Sequence, residues 1–290
     1  MTGYRASRTA VIVCQGRATA DERIAPGRFS DPVAIDLLLP DEQRPVRWAR
    51  DETPPTEWAD RVEYESARGC AEMMVPRTVA IDDAVRERPG HQVVVLGAGL
   101  DSRAWRMPEL GDVPVFEVDQ PASQQDKISR AAGLDGTPPV YVPVDFGRDD
   151  LGEALEKAGH RADLPTTWIW EGVVPYLTPA QVRATVRAVA ARSAGGSRLV
   201  VNYQAPSLRG TLGRWVVRAM ASTTGRANPW AQEPWRSMWK PAAMARLLGA
   251  EGFAVARDAS LLELAGSLDL PPANVTSLTS GRVVVADRAV

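Results

Sequence analysis

With 290 residues, 44% of them apolar and 24% charged, the chain has the make-up of an ordinary globular domain with room for one large core and a cap. Its formal net charge of −2 argues against a broad basic field for nucleic acid or an anionic membrane surface. Two cysteines, Cys14 and Cys70, with no CxxC or Cys/His cluster, argue against a disulfide scaffold or a metal site and for a reducing compartment.

Residues 1–90 read as a mainly helical N-terminal extension, broken by the Pro-rich "DETPPTEW". The apolar stretch "AVIVC" (10–14) is ended at once by Gln15, Gly16 and Arg17, too soon for a signal-peptide core. No later run approaches the roughly 20 apolar residues of a membrane span. A cytoplasmic protein is expected.

From residue 91 onward the pattern changes. "VVVL" (93–96), "PVFEVD" (114–119), "PVYVPVD" (139–145), "TTWIWEG" (166–172) and "SRLVVNYQ" (197–204) are short, apolar and rich in branched or aromatic residues. Continuous apolar character, rather than strict alternation, predicts strands covered on both faces. Helical segments separate them: "ASQQDKISRAAG", "RDDLGEALEKAG" and "TPAQVRATVRAVAARSAGG". In the last, Thr178 is placed to cap, Pro179 to open and Gly195 to close the helix. Strands alternating with helices imply a doubly wound, mostly parallel α/β sheet.

Residues 205–240 interrupt the alternation and carry four of the nine tryptophans, Trp215, Trp230, Trp235 and Trp239. The segment reads as a lid. Helix and strand return at "AAMARLLGAEGF" (242–253), and "GRVVVADR" (281–288) reads as a final strand. A Rossmann-like domain spanning 91–290, with the lid inserted, is the expected organisation.

In open α/β sheets, ligands bind beyond the carboxyl ends of the strands. Gly97 and Gly99 close the first strand, Asp119 the second, Asp145 the third and Glu171 the fourth. The glycines permit a tight turn and close approach of a ligand to backbone. An acid at the end of the second strand is suited to both hydroxyls of a ribose. A dinucleotide site wants G-x-G-x-x-G, but here the third position is Ser102, preceded by Asp101. A carboxylate there competes with phosphate for the helix dipole and suits a cationic ligand. S-adenosylmethionine, with ribose, sulfonium, ammonium and no phosphate, fits that description. Plain readings stand beside this one: a tight turn at Gly97–Gly99, a helix cap at Asp119, a solvated strand end at Glu171 or Asp145.

Taken together, "LGAGLDSRAWR", "VFEVDQPASQQDK" and "WEGVVPYLTPAQV" resemble the leucine carboxyl methyltransferase-like class I methyltransferases, including the branch that acts on polyketide carboxylates. "RFSDPVAIDLL" and "VPRTVAIDDAV" extend the likeness upstream, over residues 28–205. The resemblance implies S-adenosylmethionine as cofactor. It assigns Arg77 to the methionine carboxylate, Gly97 and Gly99 to the amino-acid moiety, and Asp119 to the ribose. Asp145 and Phe146 would flank the adenine, and Glu171 would face the amino-acid or sulfonium side. "CQGRATADERIAPGRF" lacks a close match, so no site residue is assigned before Arg77, for which a surface salt bridge is the plain alternative.

Methyl transfer is an in-line displacement in which alignment supplies much of the rate. A carboxylate acceptor arrives ionised at pH 7 and a phenol does not. The two histidines, His91 and His160, are expected on the surface, away from the site, so a small-molecule carboxylate acceptor is favoured over a phenol. Tyr176 and Tyr203 are weak candidates for orienting the acceptor, Tyr176 having a core position as its alternative. Trp215, Trp235 and Trp239 are candidates for its apolar wall, with Trp235 and Trp239 sharing a face if their segment is helical. Lid packing is the plainer role for them. Two other functions stay open: a nicotinamide-dependent oxidoreductase, disfavoured by the missing third glycine and Tyr-x-x-x-Lys pair, and a cofactor-binding regulatory subunit without turnover.

Overall fold

The apolar runs sort their side chains by parity. In β1 (Gln92–Leu96), Val94 and Leu96 enter one core layer, while Val93 and Val95 enter the other. Successive residues of a strand point to opposite faces, so a strand packed on both faces must be apolar throughout. The computed structural model describes residues 7–206, 235–271 and 275–290. It carries six further strands: β2 (Val115–Asp119), β3 (Val140–Pro143), β4 (Thr166–Trp170), β5 (Arg198–Gln204), β6 (Phe253–Ser260) and β7 (Gly281–Arg288). They form one seven-stranded sheet in the order β3-β2-β1-β4-β5-β7-β6. The first five strands run parallel, and β7 pairs antiparallel with both β5 and β6.

Helices α1 (Arg8–Ala20), α2 (Pro40–Arg50) and α3 (Trp58–Glu87) precede the sheet. The C-terminal part of α3 covers one face through Ile81, Ala84 and Val85. The chain continues through α4 (Arg103–Arg106), α5 (Pro121–Ala131), α6 (Leu151–Lys157), α7 (Pro179–Ala191), α8 (Pro241–Ala250), α9 (Leu261–Gly266) and α10 (Val275–Ser280). Leu155 of α6, Val182, Val186 and Val189 of α7, and Met244 and Leu248 of α8 are fully buried on the second face. Each such side chain contributes about 1.5–3 kcal/mol relative to exposure.

Helix α7 begins as its sequence predicts. The Gln181 N–H donates to Thr178 Oγ1 at 3.3 Å, and the Thr178 N–H donates to Gln181 Oε1 at 2.9 Å, a reciprocal cap. It ends at Ala191, four residues short of Gly195. On the N-terminal side, α1 crosses α3 at Gly16, where a Cβ would meet Cys70 Sγ at 2.9 Å. Glycine permits that close crossing.

His160 departs from the surface position expected of it. It is buried below Phe116 and Trp168, with ring centroids 5.7 and 5.2 Å away, and its Nε2 lies 3.1 Å from Thr166 Oγ1. Thr166 opens β4, so His160 sits at the end of the sheet opposite the strand carboxyl ends. Burial, helped by nearby Arg192, pushes its pKa down to about 4. The unfolded chain takes up that proton near pH 6.5 and the folded chain only near 4, so acidification through this window favours unfolding. Urea denaturation at pH 7 and pH 4.5 should show stability falling with acid, and His160→Gln should flatten that dependence.

Candidate active site

The carboxyl ends of β1, β2 and β4 open on a cavity of about 470 Å³, bordered on its far side by Ala10, Val13 and Arg17 of α1. The turn after β1 shapes its floor. Gly97 has φ +67° and its N–H donates to Val118 O at 2.7 Å; a Cβ there would collide with Val173 Cγ2. Gly99 has φ +51°, and a Cβ on it would lie 3.1 Å from Ala10. Both positions need glycine, for conformation and for space.

Asp119, the last residue of β2, lines the cavity. Its carboxylate accepts the Gly99 N–H at 2.6 Å on one oxygen and the Gln120 N–H at 2.7 Å on the other. The N-cap of α5 is Gln120, so Asp119 is not the helix cap. Asp145 and Phe146 lie just beyond β3 on the same wall, with Asp145 Oδ1 accepting the Gly147 N–H at 2.8 Å. Glu171 follows β4 and lines the cavity together with Arg77, Asp101 and Tyr176.

Behind this wall is a buried network of charges. Glu171 accepts from Arg77 Nε at 2.6 Å and from Arg103 Nη2 at 2.8 Å. Arg103 also donates to Asp82 at 2.8 Å and to Asp101. Arg106 donates to Asp82 at 2.7 Å, and Asp31 accepts from Ser102 Oγ at 2.7 Å and Arg17 Nε at 2.8 Å. Four arginines and four carboxylates are joined, and every one of these side chains is at most 9% exposed. Burial alone would favour protonated carboxyl groups. At Asp101, the charges of Arg103, Lys127 and Arg17 outweigh burial and hold the pKa well below the usual range. Arg77 and Arg103 do the same for Glu171.

Two elements of this network escaped sequence reading. Arg103 was visible within "LDSRAWR", but its three acidic partners come from α3, its own turn and the end of β4. Arg17 stood within the small and apolar residues of α1, a position where a cation needs a buried partner. That was its available signal.

Other expectations are corrected. Tyr203 is fully buried, its hydroxyl donating to Asp258 at 2.6 Å, and it does not line the cavity. Residues 235–240 form no helix, so Trp235 and Trp239 do not share a helical face. Lys240 precedes Pro241, a position that disfavours helical backbone. Trp239 packs in the core with its indole N–H donating to Ser237 Oγ at 3.3 Å. Trp235 is 39% exposed, and neither tryptophan is among the residues lining the cavity. Trp215 lies outside the described residues. Tyr176, in contrast, is partly exposed on the cavity wall.

Arg103→Met would leave Asp82, Asp101 and Glu171 short of a cation. We expect a loss of about 3–5 kcal/mol in chemical denaturation, the cost of breaking buried pairs from one side. Lys157→Ala, removing the exposed pair with Glu153, should leave the midpoint unchanged.

Comparison with known proteins agrees with this architecture. The family model described as leucine carboxyl methyltransferase matches residues 10–190. A Mycobacterium bovis protein whose name places it among S-adenosyl-L-methionine-dependent methyltransferases is 36% identical over 203 residues, 67% of this chain and 64% of its own length. A Mycolicibacterium paratuberculosis relative named in the same way is 34% identical over 206 residues, 68% of this chain and 64% of its own length. The chain thus spans just under two thirds of the curated relatives it matches. Among solved structures, a Thermobifida fusca chain named as a methyltransferase superposes with TM-score 0.57 at 15% identity, covering 99% of this chain and 96% of that one. A Bordetella parapertussis chain named as a possible exported protein gives 0.55 at 16% identity, covering 99% and 98%. At such identities these two speak to the fold, a Rossmann-like sheet with helices on both faces. The match over residues 10–190 identifies the sequence itself: the chain belongs to the leucine carboxyl methyltransferase family.

Proposed function

We propose that the chain is an S-adenosylmethionine-dependent O-methyltransferase acting on a small molecule, with a carboxylate as the preferred acceptor group and a natural-product intermediate as the kind of substrate. The observation that carries this reading is the turn after β1. The Arg103 N–H at the start of α4 already donates to Asp101 Oδ1 at 2.8 Å. A donor that would hold a pyrophosphate is occupied by the chain's own carboxylate, which argues against a nicotinamide dinucleotide. The cavity, about 470 Å³, is within the usual range for a cofactor-sized ligand.

The residues fit the cofactor as follows. Asp119, positioned at the end of β2 by two backbone N–H groups, would accept from the ribose hydroxyls. Gly97 and Gly99 line the cavity in a turn that a Cβ would force away from Val173 and Ala10, and their bare backbone would lie against the amino-acid moiety. Arg77 has one nitrogen committed to Glu171 and a planar fork for the methionine carboxylate. Asp145 and Phe146 form the adenine wall. Glu171 and Asp101 give the cavity a negative side toward the ammonium and sulfonium.

S-adenosylmethionine supplies an electrophilic methyl group on a sulfonium. The chain's part is to hold an acceptor oxygen in line and keep water out. Among the described residues lining the cavity there is no histidine, cysteine or lysine. Asp101 and Glu171 are held ionised by their arginines, and protonating either would break a buried pair. Neither is a ready proton acceptor. A carboxylate acceptor asks for none.

Titration calorimetry with S-adenosylhomocysteine should give saturable binding, with NAD showing none. Asp119→Ala should weaken binding about 10- to 100-fold, as expected for charge-assisted hydrogen bonds worth about 1.5–3 kcal/mol. Equal binding of NAD, or none of either ligand, would overturn the cofactor reading. Tight binding without turnover on any acceptor would favour a regulatory subunit. Once an acceptor is in hand, the pH–rate profile should lack an ionisation near 6–7, and His160→Gln should leave its shape unchanged.

A further inference from the structure

Three arginines line the cavity among the described residues: Arg17, Arg77 and Arg236. The first two are committed, to Asp31 and Glu171. Arg236 is different. Its guanidinium has no ion pair or hydrogen-bond partner among the described residues, and it is exposed toward the cavity mouth.

Its backbone, however, is fastened. The Arg236 and Ser237 N–H groups both donate to Pro175 O, at 2.6 and 3.2 Å. Ser237 Oγ donates to Val174 O at 2.9 Å, and the Trp239 N–H donates to Gln204 O at 2.8 Å. Burial of Ser237 and Trp239 beneath this stretch locks it further. Arg236 is thereby held beside the turn that bears Tyr176 and Leu177, which also line the cavity. Gln181, four residues further on, lines the cavity as well.

We infer that Arg236 is the positioning residue for the acceptor, taking an anionic oxygen-bearing group, a carboxylate, in its guanidinium fork beside Tyr176. The inference rests on the methyl-transfer reading for what fills the rest of the cavity. Charge supports it. Asp101 and Glu171 are each paired with an arginine, Asp119 and Asp145 stand at the ends of β2 and β3, and Arg236 lines the cavity with no carboxylate partner among the described residues, so an anion entering beside it meets a cation. A planar fork matches a carboxylate in two parallel hydrogen bonds, which fixes the orientation of the oxygen that receives the methyl group.

The test needs no knowledge of the natural acceptor. Benzoate, 2-naphthoate and octanoate, each paired with its primary amide, are titrated by ligand-observed NMR against the full chain saturated with S-adenosylhomocysteine. At least one carboxylate should bind the wild type about tenfold more tightly than its amide, a preference lost in Arg236→Gln and partly kept in Arg236→Lys. The affinity for S-adenosylhomocysteine, measured separately, should stay within about twofold in both variants. No carboxylate preference in the wild type, or a preference that survives Arg236→Gln, overturns the inference. So does a parallel loss of S-adenosylhomocysteine affinity, which would make Arg236 part of the cofactor wall. If the wild type fails to bind S-adenosylhomocysteine, the methyl-transfer reading falls instead; the same titrations on the chain alone then decide Arg236 by the same criteria.

Discussion

One guanidinium holds the site together. Arg103 donates to Asp82 on α3, to Asp101 in its own turn, and to Glu171 beyond β4. A buried carboxylate without a partner costs several kcal/mol, so these three elements are bound to one arrangement. Arg17 extends the constraint to α1 through Asp31, which Ser102 also contacts. The cavity wall is therefore assembled by charge neutralisation as much as by apolar packing. Equal numbers of buried cations and anions make that possible without leaving a net charge in a low-dielectric region.

The same constraint gives the site its stiffness. The floor is a turn of two left-handed glycines pinned by the Asp119 carboxylate, and the wall is a web of guanidinium–carboxylate contacts centred on Arg103. Few of these groups can move singly, because each is shared. Preorganisation of this kind removes the need to reorder polar groups as a ligand enters. Beyond Glu171 the chain is secured differently, by backbone donors from Arg236 and Ser237 to the Pro175 carbonyl. A charged wall and a strap of backbone hydrogen bonds thus both border the cavity.

The sheet was legible because a parallel sheet covered on both faces leaves continuous apolar runs, and the acids at strand ends were legible because the topology places ligands there. Arg17 and Arg103 were harder. Arg103 and Glu171, for example, are 68 residues apart in the chain, and no local pattern announces such a pair. Two of the misplaced aromatics had readable signals. Tyr203 shares strand parity with Leu199 and Val201, whose faces meet the second helical layer. Trp239 lies two residues before Pro241, which marks the start of a new helix and not the interior of one. The burial of His160 had no such marker, since a histidine in a Gly- and Asp-bearing loop reads the same whether it faces solvent or a Trp ring.

The contact between Asp101 and the Arg103 backbone amide carries a wider consequence. Cells hold nucleotides with phosphate chains in abundance, many of which share the adenosine half of any adenosine-bearing ligand. A site that recognised adenosine alone would be blocked by them. By satisfying that amide internally, the chain withholds a donor that a phosphate would otherwise use at a helix start. Selectivity built in this way needs no contact devoted to any one competitor, because the donor is already taken by the protein's own side chain.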